Sequence, residues 1–166
     1  MATSAVLRPT LDWLQESTTW AAVFLPAAVT AIALFKERFT RNDLLLLGLS
    51  VLAGIFSAHL EAGPEYVALY GRPWACWTLL VGAGLRLYLP GPLKAYALCW
   101  LSALTVDFAV MAQQGATVPS LELPLGIGGA GFGDALFIEP TACVLGLLLL
   151  SAARHWDNRR KATALS

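Results

Sequence analysis

Charge is scarce in this sequence. Only 13% of its 166 residues are Asp, Glu, Lys or Arg, against 57% hydrophobic. A soluble domain usually carries about 25% charged residues to wet its surface, so much of this surface is expected to face lipid. The 11 basic and 11 acidic residues cancel to a net charge of zero. No basic excess supports nucleic-acid binding, and none is expected. Cysteine and histidine are also sparse. Cys76, Cys99 and Cys143 stand far apart in apolar runs with no CxxC spacing, and in a five-span chain His59 and His155 fall on opposite sides of the membrane. These counts point away from a zinc site or a thioredoxin-like centre, with no metal and no cofactor expected. The cysteines read as small buried hydrophobes. The first residues, MATSAVLRPTLDWLQES, have no apolar core beside Arg8, which argues against a cleavable signal peptide.

What the sequence does have is apolar length. Five runs stand out, at Ser17–Phe35, Leu44–Leu60, Trp74–Leu89, Ala95–Ala112 and Ala135–Ala153. Each is near the ~17–25 residues that cross ~30 Å of hydrocarbon as a helix. Alternation with period two is absent, which argues against a barrel. The expected fold is all-α: a single bundle over residues 1–166, polytopic, with five transmembrane helices. The connections are a charged turn, Lys36 to Asp43, a polar loop, Glu61 to Pro73, and a Pro90-Gly91-Pro92 break. The longest, Gln113 to Asp134, carries two prolines and a glycine-rich stretch, and is expected to fold back over the bundle without crossing it.

Orientation follows from the basic residues. In a five-span chain Lys36, Arg38, Arg41, Arg86, Lys94, Arg154, Arg159, Arg160 and Lys161 share one face, leaving Arg8 and Arg72 opposite. The positive-inside rule makes the nine-residue face cytoplasmic, giving N-out/C-in in a bacterial inner membrane. Acids concentrate on the other side: Asp12, Glu16, Glu61, Glu65, Glu122, Asp134 and Glu139 outside, against Glu37, Asp43 and Asp157 inside.

Few residues could carry chemistry. Asp107 lies within the fourth run, where a carboxylate costs on the order of 3 kcal/mol and is expected to face the protein interior. Ser102, Thr105, Ser57 and Thr78 are candidate partners for a purely structural hydrogen bond. The stretch Gly126 to Pro140 is glycine-rich and leads into the fifth run. It lacks the Gly-Lys-Ser/Thr of a phosphate loop and follows no strand, so neither nucleotide fingerprint applies. Asp134 stands where an N-cap would. Glu139 beside Pro140 suggests a water-accessible cavity. His59 and Glu61 close the second run as a His-x-Glu pair. With Asp107, Asp134 and Glu139 they could line one polar pocket in the outer half of the membrane. Small residues at helical spacing, Ala27 with Ala31, Ser50 with Gly54 and Gly82 through Gly84, fit close helix packing.

Gly131-Phe132-Gly133-Asp134 at the mouth of a helix, with Asp107 on the preceding one, resembles the GxGD membrane aspartyl proteases, which include prepilin peptidases and presenilin-like enzymes. The resemblance implies a catalytic pair, Asp107 and Asp134, sharing a proton, one activating water and the other protonating the scissile carbonyl. It covers four residues and one aspartate. The family's GxGD aspartate lies toward the cytoplasm, whereas charge placement puts Asp134 outside. The lysine that follows GxGD in prepilin peptidases is replaced by Ala135 and Leu136.

Three functions are consistent with these features. The first is a non-enzymatic subunit or pore-type component of a membrane assembly, whose partners are the lipid bilayer, other membrane subunits or further copies of itself. The second is the aspartyl-type hydrolase. The third is a proton- or cation-coupled transporter using the outward-half acids. The separation of the Asp107 and Asp134 carboxylates distinguishes the enzyme from the others.

Overall fold

A computed structural model describes residues 21, 23–62, 67–70, 74–114 and 135–164, with side chains outside 59–62, 67–70, 111–114, 135 and 164. The chain folds as a helical bundle. Its helices are α1 (Val23–Lys36), α2 (Arg41–Ser57), α3 (Trp74–Gly84), α4 (Pro92–Gln114) and α5 (Ala135–Ala164), and between α2 and α3 lie two short strands, β1 (His59–Ala62) and β2 (Val67–Tyr70). The strands pair antiparallel, His59 opposite Tyr70 and Ala62 opposite Val67. The polar loop expected after the second run is therefore partly a hairpin. Its Gly63-Pro64 break lies outside the described residues.

Two helix ends have a clear local cause. At the start of α2, Asp43 N–H donates to Thr40 Oγ1 at 3.3 Å and Thr40 N–H donates to Asp43 Oδ2 at 2.6 Å, a reciprocal capping box. α3 ends in a Schellman motif: Leu87 N–H reaches Gly82 O at 2.9 Å and Arg86 N–H reaches Ala83 O at 3.0 Å. The left-handed position is filled by Arg86, at φ 60°, where glycine is the usual occupant. The third helix is thus 11 residues long and stops five short of the apolar run that predicted it. α5 does the opposite and continues as helix through the charged tail to Ala164, 30 residues in all. Pro140, inside it, has no N–H to donate to the helix ladder.

Contacts fix the directions. Gly54 of α2 meets Val106 of α4, and Asp43 pairs with Lys94, so α2 and α4 run parallel. Ser50 Oγ lies 3.4 Å from Thr78 Oγ1 and Trp74 Nε1–H donates to Ser57 Oγ at 2.8 Å, so α3 runs against α2. Leu80 meets Gly146, and Arg154 reaches the end of α3, so α3 and α5 are parallel. The core lies among α3, α4 and α5: Ala75, Cys76, Leu79 and Ala83, then Ala95, Leu98 and Cys99, then Cys143 and Leu147. Most of these are small, which lets the helix backbones approach closely.

Outward faces are apolar. Phe35, Phe56, Leu49 and Leu149 are all well exposed. Within α4 and α5, Pro92–Val110 and Leu136–Thr163 are long and apolar enough to cross a membrane; α1 and α3 are apolar but shorter. Replacing Trp74 with Phe should remove the indole donor to Ser57 and lower stability by about 1 kcal/mol in a denaturant titration, with little change in shape.

Candidate functional site

The best-built polar site is one that the sequence reading passed over. It lies at the end of the bundle where α1 joins α2 and α3 joins α4. Asp43 is fully buried, its side chain 1% exposed. Oδ2 accepts from Thr40 N–H, from Thr40 Oγ1 at 2.9 Å and from Lys94 Nζ at 3.3 Å, while Tyr88 OH donates to Oδ1. Lys94 also donates to Arg38 O at 2.7 Å and sits 5.6 Å from the centre of the Phe39 ring. One carboxylate therefore ties together the α1–α2 turn, the α3–α4 turn and the first turn of α4. At the same end, Arg154 of α5 donates through Nη2 to the carbonyls of Ala83 and Gly84. Arg38, Lys94 and Arg154, three of the nine residues used to orient the chain, thus gather at one end of the bundle.

Burial on its own would raise the Asp43 pKa. Hydrogen bonds from Thr40 N–H, Tyr88 OH, Thr40 OH and Lys94 outweigh it and hold the carboxyl below its ordinary 3.8. Tyr88 is pushed well above its ordinary 10.0, by burial first and then by its bond to Asp43 and that residue's charge. Each shift has a sign in stability. A depressed carboxyl contributes stability that is present above about pH 4 and lost as pH falls through the folded value. A raised phenol contributes stability that is present below pH 10 and lost as pH rises toward its folded value. Unfolding midpoints should be level between about pH 5 and 9 and fall on both sides, and Tyr88→Phe should flatten the alkaline limb.

The residues singled out from sequence are placed as follows. Asp107 is half-buried on α4, one residue beyond the Val106 that packs on Gly54, and it takes part in an interaction of its own. Glu139 is half-buried on α5 and also takes part in an interaction of its own. Asp134 and the glycine-rich stretch before it lie outside the described residues, as does most of the Gln113 to Asp134 connection. The backbone of His59 and Glu61 is in β1, and their side chains lie outside the described set. Ser57 and Thr78 are engaged with Trp74 and Ser50.

A second grouping was also missed. Cys76, Cys99 and Cys143 are all free and buried, as small hydrophobes would be, yet they come together in one cluster. Among the described residues, no group of three or more His, Cys, Asp or Glu is arranged to hold a metal ion. Between α3 and α5 an apolar groove of about 570 Å³ is lined by Trp77, Leu80, Val81, Gly146, Leu149 and Leu150, with Ala153 at its end. Its size would suit a small ligand, but it has no convergent polar groups to orient one. No protein family matches this chain, and no curated protein or solved structure matches it either.

Proposed function

We propose that this chain is a five-span integral membrane protein, N-terminus outside and C-terminus in the cytoplasm, acting as a non-enzymatic subunit of a membrane assembly. One observation carries the reading. The α3–α5 groove is apolar along its whole length, and Trp77, Val81 and Leu149 on its walls stay exposed in the isolated chain. α3 supplies one wall, and its 11 residues extend about 16 Å, half of a bilayer's hydrocarbon. A neighbouring helix laid in this groove would cover the short segment by van der Waals packing, the interaction that drives helix association in lipid. Arg38, Lys94 and Arg154 at one end support the cytoplasmic assignment of that end. The groove's lack of polar groups favours a packing role over catalysis.

A photocrosslinking residue at Leu149, in the groove, tests this in native membranes against the same residue at Leu45, exposed on α2. The expected result is a discrete protein adduct from position 149 and none from 45. Lipid adducts alone at both positions would end the subunit reading. Asp107 and Glu139, half-buried on successive helices, support ion coupling as a second reading. Proton-driven flux in proteoliposomes that Asp107→Asn abolishes would put transport in place of the subunit role.

A further inference from the structure

The third apolar run ends in a segment that the bundle core does not use. Leu85, Leu87 and Leu89 follow the end of α3 and are 64%, 78% and 53% exposed, while Tyr88 among them turns inward to Asp43. Three exposed leucines in one short turn are costly in water and at ease against acyl chains. Arg86 stands between the first two, its side chain exposed and its backbone at φ 60°. Keeping arginine there carries strain that glycine would relieve, and such strain concentrates at positions with a task.

The α1–α2 turn lies against this segment. Tyr88 OH donates to Asp43, Lys94 donates to Arg38 O at 2.7 Å, and a Cβ built on Gly91 would lie 3.7 Å from Glu37 Oε1. The two turns thus carry Lys36, Arg38, Arg41 and Arg86 at one end of the bundle, all four exposed. The ion pairs among the described residues, Lys94–Asp43 and Lys161–Asp157, use none of them. Glu37 is the one acid of these turns besides Asp43, so positive charge is in excess.

We propose that this end of the bundle holds an anionic phospholipid, its phosphate between Arg86 and the Arg38–Arg41 turn and its acyl chains over Leu85, Leu87 and Leu89. The site rests on the membrane-spanning reading given above, but not on the subunit role. Free phosphate or a nucleic acid would engage the arginines and leave the leucines in water. A phospholipid covers both, because charge and apolar surface meet where its own headgroup joins its chains. Arginine suits the phosphate, which its planar fork grips with two donors. Asp43 holds two turns from distant parts of the chain together, so the charges stand preformed.

The test uses the full chain reconstituted in phosphatidylcholine vesicles with a trace of spin-labelled phosphatidylglycerol or spin-labelled phosphatidylcholine. The motionally restricted fraction of each label in the electron paramagnetic resonance spectrum reports which lipid the protein holds. Phosphatidylglycerol should be preferred by about threefold or more, the order expected when basic side chains meet an anionic headgroup. Arg86→Gly should at least halve the preference without loss of folding, because glycine suits that φ. Arg38→Gln with Arg41→Gln should do the same, whereas Arg159→Gln with Arg160→Gln, on the exposed tail of α5, should change little. Inorganic phosphate should lower the preference no more than chloride at the same ionic strength. A larger effect of phosphate would assign the site to free phosphate and overturn the lipid. Equal restriction of both labels, or a preference that neither the Arg86 nor the Arg38 and Arg41 variant moves, would overturn the site and leave the membrane reading intact. No restricted fraction from either label would remove the membrane reading and the site with it.

Discussion

Replacing Asp43 by Ala should lower stability by about 3 kcal/mol or more, because it removes one member of a buried, hydrogen-bonded ion pair. The loss has several sources. Lys94, only 15% exposed, would keep its charge with Arg38 O as its remaining acceptor. Tyr88 OH would lose its acceptor, and α2 would lose half of its capping box, itself worth about 1 kcal/mol. Asp43→Asn should recover part of the loss, since an amide oxygen still accepts from Thr40 while the charge facing Lys94 is gone. The contrasting case is the Lys161–Asp157 pair on α5, which is shorter, at 2.7 Å, but more than half exposed on both sides. Asp157→Ala should cost about 0.5 kcal/mol or less, as exposed helical pairs do. Equilibrium unfolding of the three variants in one detergent checks the ordering. Equal losses from Asp43→Ala and Asp157→Ala would remove the Asp43 site from the account of what holds the bundle together.

The second large effect is expected at a glycine. A Cβ built on Gly54 would lie 2.4 Å from Val106 Cγ2, with Val106 Cγ1 at 3.4 Å and Cβ at 3.5 Å. Valine in a helix has one strongly preferred rotamer, so that methyl cannot swing aside and α2 must move off α4. Gly54→Ala should therefore destabilise by roughly 1–3 kcal/mol, the cost of overpacking a closed contact. Gly146 is the internal control. There the Cβ would lie 2.7 Å from Leu80 Cδ2, the far end of a flexible side chain beside the open α3–α5 groove. Gly146→Ala should be close to neutral, the shift of Leu80 being offset by alanine's better helix propensity. Pairing Gly54→Ala with Val106→Ala should restore much of the loss, and a double variant no better than the single one would place the strain elsewhere.

The helices were legible because apolar run length is a local property, and α1 to α5 each fall on one of the five runs. Their ends were less so. The third run continues to Leu89, but backbone hydrogen bonds close α3 at Gly84 through a Schellman turn that uses arginine where glycine would have signalled a stop. The tail after Ala153 reads as a charged extension, yet it continues the helix because no glycine or proline interrupts it. Ser50 with Gly54 was recognisable as a packing pair from spacing alone, and both are buried.

The site is a different matter. Asp43 was counted only as an acid in a charged turn, although Thr40-x-x-Asp43 carried the reciprocal capping signal in plain view. What could not be read is that Tyr88 and Lys94, 45 and 51 residues further on, would converge on the same carboxylate. The thiols pose the same problem, since their spacing says nothing until α3, α4 and α5 are packed. Asp107 and Glu139 were singled out by the cost of placing a carboxylate in an apolar run, and both are half-buried. Such a cost marks a position as unusual without naming its partner.

The two arginine contacts at the end of α3 bear on the order in which the protein can be completed. Ala83 and Gly84 lie near the middle of the chain, and the side chain that also donates to their carbonyls belongs to a residue 70 or 71 positions later. The Schellman turn satisfies the Gly82 and Ala83 carbonyls as soon as Leu87 is made, but Gly84 O waits through the making of α4 and most of α5. α3 is the shortest of the described helices; its own turn caps it early, and the link that holds its end to α5 comes only with Arg154. The tail is thus a late clasp, and a chain halted before Arg154 would hold all of α1 to α4 with the end of α3 not yet tied to α5.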